Sequence, residues 1–266
     1  IGTSSHGEGR DVGPAQQVGE EIRAAGGIAV ANTDSVAEWD SANRIVKTAL
    51  DAYGRIDGVV NNAGILRDRF FFNMNPAEWK AVIDVHLNGA FFVSRAAAPY
   101  FRSQQSGSYV HITSAAGLIG NKGQANYMAA KMGVVGLMSA IAHDMARCEV
   151  RSNCIAPWAW SRLSDSVPAQ TPEARAERGR MKKLGTDRIA PMVVYLMSDA
   201  SQAVSGQIFG VRANEIYLFN QSRIVRSAHC GDGWTPEGIA AVAMPALAPN
   251  FTPLELYSDV VSWHPV

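Results

Sequence analysis

Ile56-Asp57-Gly58-Val59-Val60-Asn61-Asn62-Ala63-Gly64 passes from apolar, β-branched residues into small and amide-bearing ones. It reads as a buried strand that ends in a turn. Gly54 closes the helix predicted before it, Ser35 to Tyr53, with Ala37, Ile45, Val46 and Leu50 on its apolar side. Further upstream, Ile28-Ala-Val-Ala-Asn32 reads as a short strand, and Ala15, Val18, Ile22 and Ala25 recur at helical spacing until Gly26-Gly27 stops them. Downstream, a long helical stretch begins near Pro76 and runs to about Arg102. Then come a strand at Tyr109–Thr113, a helix from Ala125 to Ala146 and a strand at Val150–Ala156. Such alternation predicts an α/β fold, a doubly wound parallel sheet with helices on both faces. Ligands of such sheets bind beyond the carboxyl ends of the strands. Asn61-Asn62-Ala63-Gly64, Thr113-Ser114 and Ala156-Pro157 fall there.

After Ser161 the pattern loosens into a polar, charged segment to about Gly185, with room for a short helix. A helix at Asp187–Met197 and a final strand at Gly206–Val211 restore regular structure. The remainder carries prolines, Trp234 and Trp263 with only weak periodicity.

The 266 residues balance 24 Lys plus Arg against 24 Asp plus Glu, so no global field steers the chain to nucleic acid or an anionic membrane. Cys148, Cys154 and Cys230 form no C-x-x-C pair and stand among no clustered histidines, so neither a metal site nor a disulfide framework is expected. No apolar run has the length of a membrane span. A cytoplasmic location is the expectation.

Gly123-Gln-Ala-Asn-Tyr127-Met-Ala-Ala-Lys131-Met-Gly133 carries the chemistry. Tyr127 and Lys131 are four apart on a predicted helix and share a face. A cation there favours the phenolate and lowers the phenol's pKa, so the pair can move a proton at a carbonyl or alcohol oxygen. The bland reading of the same spacing is a surface helix pair. Ser114, just past a predicted strand, could hydrogen-bond the same substrate oxygen, although serine is also an ordinary turn residue. Asn61 to Gly64 suits close approach of a flat ligand to the backbone, or is simply a strand-to-turn transition.

In combination, Asn-Asn-Ala-Gly, then Ser114 and Tyr127 with twelve residues between them, Lys131, and Ile155-Ala-Pro157 resemble the short-chain dehydrogenase/reductase family. ANTDSV, YGRIDGVVNNAGILRDRFF, VHLNGAFFVSRAA, GNKGQANYMAAKMG and NCIAPWAWSRLS are similar to the (3R)-hydroxyacyl-CoA dehydrogenase domain of multifunctional enzyme type 2 and its bacterial single-domain relatives. The resemblance implies a Rossmann-type domain over 1–211 and a C-terminal extension over 212–266 packed on the same domain. It implies Tyr127 as general acid/base, Lys131 lowering its pKa and holding the nicotinamide ribose, and Ser114 fixing the substrate oxygen. His86 stands where a proton-relay Asn is usual; that role leans on a helix distortion and a backbone carbonyl, and the imidazole itself is expected to be packed and hydrogen-bonded. Asp34 and Ser35 match residues flanking the adenine, and Asn61, Asn62, Ala63 and Gly64 the segment beneath the adenosine ribose. Pro157 matches the wall beside the nicotinamide, and Ser164 the holder of its carboxamide. Trp158 and Trp160 replace small residues and could narrow the entrance or pack under a lid formed by 161–185.

The implied activity is NAD- or NADP-dependent interconversion of a secondary alcohol and a ketone, with NAD favoured. The implied substrate is a 3-hydroxyacyl-CoA and the implied assembly a homodimer or homotetramer. A reductase of steroids or other bulky ketones is the alternative within the family. An oligomerising remnant without catalysis is the alternative outside it, because the opening Ile-Gly-Thr-Ser-Ser-His-Gly-Glu-Gly-Arg10 is no phosphate loop: Gly7-x-Gly9 is followed by one residue too many before Gly13, and no strand precedes it. It matches instead the loop after the family's second strand. The first βαβ unit, on the order of 30–40 residues, is therefore expected to be missing from the N-terminus, which leaves the strand at Ile28 nothing to join.

Overall fold

The computed structural model describes residues 6, 8–9, 11–161, 171–263 and 265. Helix α1 (Gly13–Ala24) starts with Pro14 in its first turn, where a missing N–H costs nothing. Helix α2 (Trp39–Tyr53) ends on Gly54 in the left-handed region, φ 75°, as the sequence predicts. The long helical stretch is resolved into α3 (Pro76–Ile83), a π-helical turn at Asp84–Asn88, and α4 (Gly89–Gln104). A capping box fixes its start: Asn75 accepts from the Glu78 N–H while the Glu78 carboxylate accepts from that of Asn75. Helices α5 (Ala115–Leu118), α6 (Ala125–Asp144), α7 (Pro172–Met181) and α8 (Ala190–Met197) follow.

The sheet has five strands in the order β1 (Gly58–Asn61), β2 (Gly107–Ile112), β3 (Val150–Trp158), β4 (Ile208–Arg212) and β5 (Glu215–Leu218). The first four are parallel, with Val60 opposite Val110 and Ile155 opposite Phe209. Because side chains alternate along a strand, the two faces separate cleanly. Val59, Tyr109 and Val150 pack with α2 and α4, and Cys154 and Ile208 with Val134 and Met138 of α6. Val110, Ile155 and Val211 face Ile189, Met192 and Leu196 on and beside α8. The chain is thus an α/β protein with a mainly parallel sheet and helices on both faces.

Two strand expectations are corrected. Residues 28–32 form no strand: Ile28 and Val30 are 84% and 47% exposed, and no strand among the described residues offers them a ladder. A strand needs cross-strand partners, which apolar alternation alone does not supply. Conversely, β4 is not the last strand. Glu215–Leu218 turns back antiparallel to it, placing Tyr217 opposite Gly210, where a Cβ would collide with the Trp158, Tyr217 and Phe219 rings. The tail after β5 returns to the body of the fold: the Tyr257 N–H donates to the Gly120 carbonyl at 3.0 Å, and the Trp263 indole to Glu215 at 2.8 Å. No helix among the described residues is long and apolar enough to cross a membrane.

Candidate active site

Strand β2 delivers Thr113 and Ser114 to its carboxyl end, and Ser114 caps α5 by accepting from the Ala116 N–H at 3.2 Å. Thr113, buried, donates to the Lys131 carbonyl, which ties the strand end to the middle of α6. Across this junction the Tyr127 phenol comes close enough to Ser114 for the serine to favour its charged form. Lys131, one turn on, places Nζ 5.5 Å from the Tyr127 ring centroid. Its ammonium is buried and donates to the Ile112 carbonyl at 2.5 Å. Burial lowers the Lys131 pKa to about 8.

The expected lowering of the Tyr127 pKa is not what this arrangement produces. Burial of the phenol raises it; Ser114 acts the other way, and nearby Asp68 and Tyr257 add to the rise. Lys131 spends its nearest donor on Ile112, so the desolvation penalty on a phenolate prevails.

His86 sits in the π-helical turn, in line with the expected helix distortion. It is buried, edge-on to Tyr127, with Nε2 3.0 Å from the Ile65 N–H and 2.8 Å from the Ile65 carbonyl. A neutral imidazole uses Nε2 for one of these only. Nδ1 has no partner. Burial, with Lys131 nearby, lowers the His86 pKa to about 3, so the ring is neutral. It is packed and hydrogen-bonded, as expected.

The residues matched to a dinucleotide fall in two groups. Asn62 and Ala63 are exposed past the end of β1, with Gly64 beside them. The Asn61 amide turns inward instead, 2.8 Å from the Ser94 hydroxyl and 3.0 Å from His111 Nδ1. The Asp34 carboxylate is held by Arg44 at 2.5 Å and by Asn32, and Arg44 keeps its pKa below the usual carboxylate value. Ser35 accepts from the Ala37 N–H. Pro157 is half-buried near the carboxyl end of β3. Ser164 lies outside the described residues. The two tryptophans part company: Trp158 stacks on Phe219, centroids 6.2 Å apart, whereas Trp160 has Arg178 and Lys182 of the α7 region over its ring, each at 5.5 Å.

Sequence reading missed three residues. Asn126, fully buried, donates to the carbonyls of Arg67 and Glu78 and accepts from the Tyr127 N–H at 2.7 Å. Asp68, whose pKa burial raises, accepts from Gln124, and an Arg69 N–H to Gly123 carbonyl bond runs alongside. Tyr257 arrives from the tail. Only an Asn and a Gln just before Tyr127 hinted at such a staple. A surface depression of about 620 Å³ lined by Lys47, Leu50, Gly54 and Tyr100 shares no residue with this cluster.

A family model described as enoyl-(acyl carrier protein) reductase matches residues 10–213. A peroxisomal hydratase-dehydrogenase-epimerase of Saccharomyces cerevisiae is 44% identical over 86% of this chain and 24% of its own length. Peroxisomal multifunctional enzyme type 2 of Mus musculus is 41% identical over 90% of this chain and 31% of its own. The chain therefore spans less than a third of the length of each of these two relatives. A short-chain type dehydrogenase/reductase of Mycobacterium tuberculosis is 42% identical over 82% of this chain and 74% of its own. The crystal structure of a short chain dehydrogenase from Mycobacterium avium superposes with a TM-score of 0.82 at 35% identity, covering 97% of this chain and 87% of that one. With its sheet order, its Ser114–Tyr127 contact and these likenesses, the chain belongs to the short-chain dehydrogenase/reductase family of nicotinamide-dependent oxidoreductases.

Proposed function

We propose that this protein interconverts a secondary alcohol and a ketone on a 3-hydroxyacyl thioester of the CoA type, with Tyr127 handling the proton of the reacting oxygen. The convergence of Ser114, Tyr127 and Lys131 at the carboxyl end of β2, with the Lys131 ammonium 5.5 Å from the phenol ring, carries this reading. The name of another relative, a hydroxyacyl-CoA dehydrogenase of Mycobacterium tuberculosis that is 35% identical over 85% of this chain, supports the substrate class.

The residues present fit two parts of a dinucleotide. Lys131 has three N–H donors and gives one to Ile112, so two remain for the nicotinamide ribose hydroxyls. Asn62 and Ala63 offer exposed backbone to the adenosine ribose, Asp34 a carboxylate to the adenine, and Pro157 a rigid wall to the nicotinamide. Nicotinamide, when bound, supplies the hydride acceptor for oxidation and the hydride donor for reduction. Tyr127 takes the proton from the alcohol oxygen in one direction and returns it in the other, while Ser114 holds that oxygen in place. A phenol with a raised pKa is protonated at neutral pH, which suits proton donation to a ketone. Oxidation requires the phenolate and is favoured by alkaline conditions.

Turnover of a 3-hydroxyacyl-CoA panel with NAD or NADP tests the reading and selects the cofactor. Tyr127→Phe is expected to lose roughly 10²–10⁴-fold in kcat with KM little changed. Undiminished turnover in that variant would remove Tyr127 from the role. The exposed aromatic rings of Phe91 and Tyr100 on α4, with Met132 on α6, support pairing with a second copy, to be read by light scattering.

A further inference from the structure

Tyr257 reaches the reaction centre from outside the family motifs, and three observations place it. Its ring packs on the cluster of Ala115, Ala156 and Trp158. Ala115 follows Ser114 and Ala156 precedes Pro157, so that cluster spans the carboxyl ends of β2 and β3, where a substrate must lie. Its backbone N–H is pinned to the Gly120 carbonyl at 3.0 Å, and the preceding chain presses so closely that a Cβ on Gly120 would meet the Glu255 carbonyl at 2.8 Å. Finally, the two phenols sense each other: charge on Tyr257 disfavours charge on Tyr127. Tyr257 opens the short helix Tyr257–Val260, and Val261 just after it joins the same cluster. Trp263 then anchors the chain end, packing against Tyr217 at 6.2 Å and bonding Glu215.

We propose that Tyr257 is a specificity-determining residue, its hydroxyl donating a hydrogen bond to a second oxygen of the substrate, the thioester carbonyl two carbons from the reacting one. The inference rests on the functional reading above. Ser114 and Tyr127 are committed to the reacting oxygen. A 3-oxoacyl or 3-hydroxyacyl thioester carries another oxygen in a 1,3 relation to it, and a plain ketone or alcohol does not. A phenol O–H on the tail side of the carboxyl ends of β2 and β3 meets that extra acceptor, and it lets the tail discriminate between the two kinds of substrate.

Tyr257→Phe keeps the ring, the packing and the backbone bond to Gly120 and removes only the hydroxyl. The ratio of kcat/KM for a 3-hydroxyacyl-CoA over that for a plain secondary alcohol is expected to fall about tenfold in this variant, the scale of one hydrogen bond. An unchanged ratio overturns the inference. A second measurement needs no turnover: acetoacetyl-CoA is titrated against the protein by calorimetry, and the variant is expected to bind about tenfold more weakly. Equal affinity in the two proteins, or no binding to either, also overturns it. Wild-type protein that binds acetoacetyl-CoA more tightly than the variant yet turns over no 3-hydroxyacyl-CoA would sink the functional reading and leave this one standing.

Discussion

The His86 imidazole stands edge-on to the Tyr127 ring, centroids 5.2 Å apart and planes at 87°, and its Cε1 occupies the place beside Gly64 where a Cβ would come within 2.6 Å. The turn after β1, the π-helical turn between α3 and α4, and helix α6 therefore meet at a single ring. A neutral imidazole serves that purpose because it packs like an aromatic and still binds the Ile65 backbone.

Gly64→Ala should therefore be destabilising by about 1–3 kcal/mol, the cost of forcing an extra methyl into a packed site. Urea denaturation would show it. Gly64→Ala combined with His86→Ala should lose less than the sum of the two single losses, since the clash disappears with the ring. Strict additivity would mean that Gly64 and His86 do not share this space.

Asn126 holds three segments with one side chain: the chain after β1, α3 and the start of α6. Asn126→Ala leaves the Arg67 and Glu78 carbonyls without that donor. A stability loss of about 1–3 kcal/mol is expected in thermal denaturation. The fall in kcat should exceed any change in KM, because the residue positions Tyr127. A variant with full stability and full kcat would remove it from that role.

Lys131 carries a cost for its place. Its folded pKa of about 8 lies below its ordinary 10.5, so between those values the unfolded chain binds more protons and stability rises with pH. Below about 8 the buried ammonium penalises the fold in full. Lys131→Met should abolish turnover yet raise stability at neutral pH by on the order of 1–3 kcal/mol. The gain over wild type should shrink as pH rises past 8. A variant less stable than wild type at pH 7 would contradict the assignment.

His86 and His111 act at the acid end. Burial lowers their pKa values to about 3 and about 4 from 6.5, so the stability they contribute is complete above 6.5 and is lost as pH falls toward those values. His111 accepts from Asn61 at Nδ1 and faces the Ser152 hydroxyl 3.2 Å from Nε2, a neutral ring with both nitrogens engaged. The urea midpoint should drop between pH 7 and 5, and His111→Gln should make that drop shallower. An identical slope in the variant would mean that His111 stays neutral in the unfolded chain as well, or titrates freely in the folded one.

Much of this molecule is legible in local pattern. The Asn-Asn-Ala-Gly turn, the alternation of strands and helices and the one-turn spacing of Tyr127 and Lys131 follow from periodicity and breakers, which act over a few residues. The helix ends at Gly54 and Pro76 were readable for the same reason. The strand expected at Ile28–Asn32 shows where local pattern stops, because its alternation is real but no ladder partner stands beside it among the described residues. Strand β5 shows the converse: four unremarked residues of the tail become a strand because β4 offers an edge.

The sequence by itself determined the fold class, the family and the helix face that joins Tyr127 to Lys131. The tertiary structure alone decided what surrounds that face. Asn126 reaches carbonyls more than forty residues away in sequence, and Tyr257 meets the centre from the far end of the chain. It also set the direction of the Tyr127 pKa: a cation at helical spacing predicts a stabilised phenolate, whereas burial beside Asp68 and Tyr257 raises the cost of one. Desolvation depends on everything that packs around a group, and no spacing along the chain records that.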